Sequence, residues 1–460
     1  MRLLRSSLIV ALVVLLAGRA GASDGGAQAT AAAAGDDGRG WQVDVDAREE
    51  YRFRASAAPG ESDQDLHLAL DLRAADLTGR LGADAALGLW WDLDGNPWGE
   101  AFGLASVYDG RNPWIDVYQL SAEYRSLGLL RTARAGRQVA EHGRPATFDG
   151  AYVNLRGRHL GFFAFGGRTE HFFETGDESL FEDWIAAVGA SARPISSLRI
   201  EVDYRYIREA IENLDAERDA VEDHSYGVTA WYRGGDWLRA KAFARGLSRQ
   251  FSEAGGQVRL YWSAQDAGLD ARFFAQPVSM RDINELDNPF FLTLGRSLPH
   301  TRWRADLWKG HSGQSLRWEA HLGYEGRRLL HDEESAFNRN TAHMYLLAAV
   351  SDIEALPGLS ASVSLERVGA DASPFSGEGE WAVGGGLRYE LGALRAEVGS
   401  QYHRYRYLYY RDLEELADVR AFYGDLQYKA TEWLAVRGRY SAEVFDRTLH
   451  TFVVSLAQGY

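Results

Sequence analysis

The chain has 460 residues, of which 46 % are hydrophobic, 25 % charged and 12 % aromatic, and it contains no cysteine. Without cysteine there is no disulfide scaffold, thiolate-bound zinc, iron–sulfur cluster, cysteine nucleophile or lipidated N-terminal cysteine. A net charge of −15 argues against a general nucleic-acid binder, which needs a basic footprint to neutralise phosphates.

In chain order, Arg2 and Arg5 precede an apolar run from Leu8 to Leu16 and a small-residue site at Ala20-Gly21-Ala22. That order predicts a signal peptide over residues 1–22, because the apolar run is shorter than the roughly 20 residues that span a bilayer as a helix. Residues 23–40, poor in aromatic and β-branched side chains, read as a flexible lead-in. No later segment is apolar enough for a transmembrane helix. The expected destinations are therefore the periplasm, the exterior or the bacterial outer membrane.

From residue 41 onward, period-2 alternation replaces helical periodicity. Leu198, Ile200, Val202, Tyr204 and Tyr206 alternate with Arg199, Glu201, Asp203 and Arg205, and similar runs occupy 81–91 and 316–325. Runs of about ten residues suit tilted strands crossing hydrocarbon, whereas strands in soluble domains are nearer 5–6 residues. Short connections near 75–79, 126–128, 157–158, 194–197, 234–236, 265–268, 310–314, 354–358, 391–393 and 430–432 separate longer polar segments. Those segments lie at 54–65, 92–113, 139–146, 168–184, 208–223, 247–255, 276–300, 327–340, 368–380, 408–418 and 443–447. The reading is an all-β chain: one transmembrane antiparallel up-and-down barrel over 41–460, of about 22 strands (18–22), with periplasmic turns and extracellular loops. Aromatic clusters at strand ends, such as Trp90-Trp91 and Trp231-Tyr232, suit interfacial girdles. The alternation continues through Phe452, Val454 and Leu456 to a terminal Tyr460. Outer-membrane lipid is thus an expected partner.

Taking polar alternates as lumen-facing gives an arginine-rich interior. It includes Arg156, Arg199, Arg205, Arg239, Lys241, Arg304, Arg317, Arg388, Arg437 and Arg439, together with Arg137 and Arg144 of the motif below. The acidic excess falls instead in expected loops at 174–183, 212–223 and 411–418. Rings of guanidinium groups select anions and bind carboxylates through two parallel hydrogen bonds; the competing reading is that Arg–Glu ladders brace the wall. Around Arg134 neither face is clean, and Arg134 is expected near an interface or a bulge, where an outward arginine costs less than the about 2–4 kcal/mol of mid-bilayer.

The segment GRQVAEHGRPATFDGAYVNLRGR, residues 136–158, carries Gly136-Arg137-Gln138, then Gly143-Arg144, then Phe148-Asp149-Gly150. Here the sequence resembles the alginate-export family of outer-membrane porins. The resemblance implies a monomeric barrel that passes an acidic polysaccharide or other anionic solutes, with Arg137 facing the lumen and periplasmic export proteins as possible partners. Read physically, Arg137 and Arg144 can equally meet Asp149 across a hairpin as a structural clasp.

One of the long loops, 92–113 or the proline-containing 276–300, is expected to fold inward and narrow the channel. Asp92-Leu93-Asp94-Gly95-Asn96 resembles the start of a calcium loop without the full ligand spacing. No cofactor, metal or hydrolase signature appears, so no enzyme is expected. The alternatives are a structural or adhesive barrel, or an outer-membrane hydrolase using a loop histidine such as His142, His171, His224 or His300.

Overall fold

A strand whose alternate side chains are apolar and polar is suited to two different media on its two faces. The computed structural model places these runs in strands and describes residues 31–34, 40–56, 62–93, 113–126, 128–142, 146–169, 183–212, 218–278, 298–331, 340–370, 380–409, 413–444 and 448–459. The first strands are β1 (Ala31–Ala34), β2 (Gly40–Ser56), β3 (Ser62–Asp76), β4 (Leu81–Asp92), β5 (Trp114–Arg125) and β6 (Leu130–Val139). Next come β7 (Thr147–Arg156), β8 (Leu160–Thr169), β9 (Trp184–Ile195), β10 (Leu198–Glu212), β11 (Arg218–Gly234) and β12 (Leu238–Leu247). β13 (Gln250–Trp262), β14 (Ala267–Gln276), β15 (His300–Ser312), β16 (Arg317–Leu329), β17 (Thr341–Ser351) and β18 (Leu359–Ala370) follow. The last are β19 (Glu380–Leu391), β20 (Leu394–Tyr409), β21 (Leu413–Lys429), β22 (Leu434–Val444) and β23 (Thr448–Gly459).

All belong to one sheet of 23 strands in which chain neighbours pair antiparallel. β23 returns to β2, with Phe452 opposite Phe53 and Ser455 opposite Glu50. This closure leaves no free edge along the ring. β1 pairs only with the start of β2, Ala34 opposite Gly40. The closed ring is therefore β2 to β23, 22 strands, and part of the expected lead-in joins the sheet.

Exposure is inverted relative to a water-soluble fold. Val202 is 50 % exposed, whereas the adjacent Glu201 is 3 % exposed. Cross-strand register carries the outward face around the ring, as in Val202 opposite Val228 and Leu322 opposite Leu346. Among the described residues no helix is long and apolar enough to cross a membrane; the apolar band belongs to the strands.

The ten turns at one rim are short. Asp76 shows how they hold: its carboxylate accepts the Thr78 hydroxyl at 2.5 Å and the amides of Arg80 and Leu81 at 2.6 and 3.0 Å. Those bonds, the Thr78 hydroxyl foremost, keep the exposed Asp76 carboxyl below the usual aspartate range. At the opposite rim several connections are shorter than expected. Ser248 and Arg249, with φ of 45° and 78°, make a two-residue turn where the alternation predicts a loop over 247–255. A bulge between Arg245 and Gly246 breaks period 2 there without ending the ladder. The expected loops at 208–223 and 408–418 are largely strand, since β10 runs to Glu212 and β20 to Tyr409. Beyond the apolar band both faces of a hairpin meet water, so pairing continues after the alternation has disappeared. Much of the acidic sequence at 212–223 and 411–418 thus lies in paired strands rather than loops.

Candidate functional site

The 136–150 segment begins with a constraint that only glycine satisfies. Gly136 has φ of +115°, and a Cβ there would lie 2.1 Å from the Leu120 carbonyl oxygen. Two residues on, Gln138 is 1 % exposed, and its Nε2 donates to the carbonyls of Gly136 (3.3 Å) and Gly150 (3.1 Å). Phe148, across the ladder from Gln138, is fully buried. Gly136→Ala is expected to destabilise the barrel by about 1–3 kcal/mol, read as a lower urea midpoint for the lipid-reconstituted protein.

Arg137 does not face the lumen. It stands opposite Asp149 on the face that also carries Val153 and Phe162 outward, and Asp149 is in turn opposite Arg168. Arg137 Nε and Nη2 each donate to Asp149 at 2.8 Å, and Nη1 donates to the Val117 carbonyl at 2.9 Å. The motif's Arg–Asp pair is therefore an outer-wall clasp. Arg134 is the reverse case: it faces inward, bound to Glu123 at 2.6 Å and Glu141 at 2.9 Å. A bulge between Leu130 and Thr132 sets this parity. Arg144 lies outside the described residues.

From β6 the chain turns into the barrel. Ala140 N donates to the Ala146 carbonyl at 2.8 Å, closing the segment. His142 stacks on Phe163 with centroids 4.1 Å apart, and its Nδ1 lies 3.0 Å from Glu201 Oε2 on β10. Ala140 and Ala146 pack on Phe148, Tyr152, Phe165, Ile185 and Ala187. These are inner-face side chains of β7, β8 and β9 that would otherwise face the barrel interior. Burying each large one is worth roughly 1.5–3 kcal/mol, enough to hold a short segment against the wall. Ala140, His142 and Ala146 thus lie against the inner wall; residues 94–112 and 279–297, from the two loops expected to narrow the lumen, lie outside the described residues, as do Asp94–Asn96.

Beneath the segment is a cavity of about 360 Å3 that reaches the turn 157–159. Glu141 and His142 form one side, and Trp231 and Phe163 supply aromatic surface. Seven cationic residues line it: Arg131, Arg156, Arg158, Arg193, Arg199, Lys241 and Arg245. Glu201 holds Arg199 at 2.6 Å and Glu253 holds Arg245 at 2.6 Å. For Arg131, Arg156, Arg158, Arg193 and Lys241, no carboxylate among the described residues lies within ion-pair distance. Five cations therefore share a small cavity with little local compensation.

Elsewhere around the ring several inner arginines are braced, whereas Arg239, Arg302 and Arg317 have no ion-pair partner among the described residues. Asp270 sits between Arg259 (2.7 Å) and Arg272 (3.0 Å), Glu397 between Arg388 (2.9 Å) and Arg395 (3.5 Å), and Asp425 between Arg437 (2.7 Å) and Arg439 (4.0 Å). Arg304 donates to the Tyr345 hydroxyl at 3.0 Å. Arg205, 4 % exposed, approaches the His142 carbonyl and lies 5.6 Å from the Phe165 ring. Arg239 precedes Lys241 on the same face of β12, and Arg317 opens β16 on its inner face. Of the sequence-expected residues, then, the cavity gathers Arg156, Arg199 and Lys241. Parity could not find Arg158, in a turn, or Arg131, at a bulge. Arg193 belongs to β9, whose ladder with β10 shifts between Leu198 and Ile200.

The histidines suggested for hydrolysis do not meet a nucleophile among the described residues. His224 faces outward with its Nδ1 2.6 Å from the Tyr204 hydroxyl, while the Ser248 hydroxyl binds Asp223 rather than the imidazole. His300 is buried against the Leu298 carbonyl at 2.9 Å. His171 lies outside the described residues.

No protein-family model matches the chain, and no curated protein matches it. Among solved structures, it is similar to Pseudomonas aeruginosa OccK2 (OpdF) in complex with glucuronate, at TM-score 0.46 and 11 % identity over 92 % of this chain and 98 % of that one. A BenF-like porin from Pseudomonas fluorescens Pf-5 gives TM-score 0.45 and 11 % identity over 92 % and 99 %. The P pilus usher (PapC) translocation pore gives TM-score 0.50 and 9 % identity over 90 % and 99 %. With the usher pore the chain shares its fold alone.

Proposed function

We propose that this chain is an outer-membrane channel that passes small anionic solutes, with its short turns in the periplasm. One observation carries the reading: one cavity of the inner wall gathers five cations without carboxylate partners among the described residues, whereas ladders such as Arg259–Asp270–Arg272, Arg388–Glu397–Arg395 and Arg437–Asp425 carry their own carboxylates. At an effective dielectric near 20, an anion about 5 Å from one such group gains about 3 kcal/mol. Several weak sites in succession, rather than one tight one, are what conduction needs. Arg199 over Trp231, at 4.9 Å, holds the aromatic face beside the charge. Small solutes are favoured over an acidic polysaccharide, because the arginine and aspartate that carry the polysaccharide-export resemblance pair on the outer wall.

Reversal potentials in planar bilayers under a potassium chloride gradient test this. The wild-type channel is expected to prefer anions, and Arg156→Glu with Arg193→Glu to move the preference towards cations by roughly tenfold in permeability ratio, about 1.4 kcal/mol. Arg437→Gln, in a braced ladder, should change the ratio far less. Cation preference of the wild-type channel would overturn the reading, and absence of conductance would favour a structural or adhesive barrel.

A further inference from the structure

The outward rows of the strands end differently at the two rims. At the turn rim they finish on apolar side chains such as Leu198, Leu238, Leu394 and Tyr428, and Lys309 is the outward strand cation found there among the described residues. At the loop side of the apolar band three outward rows carry an arginine. In β16 the row runs Leu322, Tyr324, Gly326, Arg328; in β18 Val363, Leu365, Arg367, with the strand continuing to Ala370; in β21 Leu426, Gly424, Phe422, Arg420, with the strand continuing to Leu413. All three arginines are exposed. Arg367 lies 5.2 Å from the Trp381 ring and Arg420 5.0 Å from Phe422. None of the three has an ion-pair partner among the described residues. Arg208, outward on β10, differs in standing opposite Glu222, and Arg137 and Arg168 flank Asp149.

An arginine that merely reaches for water from the edge of an apolar band has no reason to favour one rim. A leaflet rich in phosphate does supply such a reason, since a guanidinium fork matches phosphate geometry and an aromatic face beneath keeps it oriented. We propose that Arg328, Arg367 and Arg420 bind the phosphorylated headgroups of lipids in the leaflet on the loop side. At about 4.8 Å per strand, β16 and β18 set their arginines about 10 Å apart, and β21 lies about 14 Å further along the ring. The rim therefore addresses separate phosphates rather than one. The proposal rests on the membrane-spanning reading but not on the selectivity of the lumen.

The test uses the full barrel in phosphatidylcholine nanodiscs doped with a bisphosphorylated lipid A, with native mass spectrometry counting retained lipid A after delipidation. Wild-type protein should retain it, and R328Q/R367Q/R420Q should retain at least about fivefold less. The turn-rim control K309Q should behave as wild type. Inorganic phosphate at millimolar concentration should not displace the lipid; displacement would point to free phosphate as the ligand and overturn the lipid assignment. Equal retention by the triple variant would overturn the proposal outright. Conductance of the same variant, expected to be unchanged, shows that the barrel is folded and separates this result from failure of the channel reading.

Discussion

Replacing residues 140–146 with a two-residue turn is expected to raise single-channel conductance and to remove most of the ion selectivity. A ring of this strand number encloses an open lumen unless something fills it, and among the described residues Ala140, His142 and Ala146 lie against its inner wall. Their hold comes from the His142–Phe163 stack, the His142–Glu201 contact, the Glu141–Arg134 pair and apolar cover over Phe148 and Tyr152. On the proposed anion-channel reading, removing the segment widens the sector that selects the solute. It also hydrates Arg156, Arg193 and Lys241, and higher local dielectric weakens each attraction several-fold. Conductance should rise roughly two- to threefold, by the dependence of lumen size on what occupies it. His142→Ala alone, losing one stack and one contact, should give a smaller rise with noisier current. An unchanged conductance after the full replacement would place the narrowest section elsewhere on the wall.

Much of this architecture could be read from alternation because lipid and water impose opposite demands on adjacent residues. The ten turn positions and the 22-strand ring follow from that contrast, since a one-residue slip would move a row such as Val202 and Tyr204 into water and Glu201 and Arg205 into lipid. The same logic fails where the contrast fails. The β10–β11 and β20–β21 hairpins continue past the apolar band, so their polar ends resemble loops. Bulges beside Leu130 and Gly246 reverse local parity, and the first exchanges the expected places of Arg134 and Arg137. The site was legible only in part for a further reason. Arginine type and inward parity are sequence properties, but whether an arginine meets a carboxylate depends on the neighbouring strand. Arg437 and Arg156 both occupy inward alternates, yet Asp425 neutralises one and the other shares its cavity with more cations. The inward course of residues 140–142 leaves only indirect traces in sequence: a glycine at a strained φ, a glutamine that caps carbonyls, and an Ala–Glu–His run too short to draw notice among longer loops.

The second large effect concerns stability rather than conduction. Glu123→Ala is expected to destabilise the barrel by about 3 kcal/mol. The Glu123 side chain is 4 % exposed and that of Arg134 13 %; Arg134 contacts Glu123 through Nη2 at 2.6 Å and Nε at 3.0 Å, and Arg125 binds the other carboxylate oxygen. Truncating the acid leaves a buried guanidinium with Glu141, 48 % exposed, as its remaining ion-pair partner, and an uncompensated buried charge costs more than the pair contributes. The matching double replacement Glu123→Leu with Arg134→Met should recover most of the loss, because it removes the charge together with its partner. Urea titration of the lipid-reconstituted protein, followed by heat-dependent gel mobility, measures both. Conductance separates this from the first prediction: Glu123→Ala leaves Arg134 free to hold Glu141 more closely, so the infolded segment should stay in place and the current should barely change. A Glu123→Ala barrel as stable as wild type would mean that water, rather than Glu123, compensates Arg134.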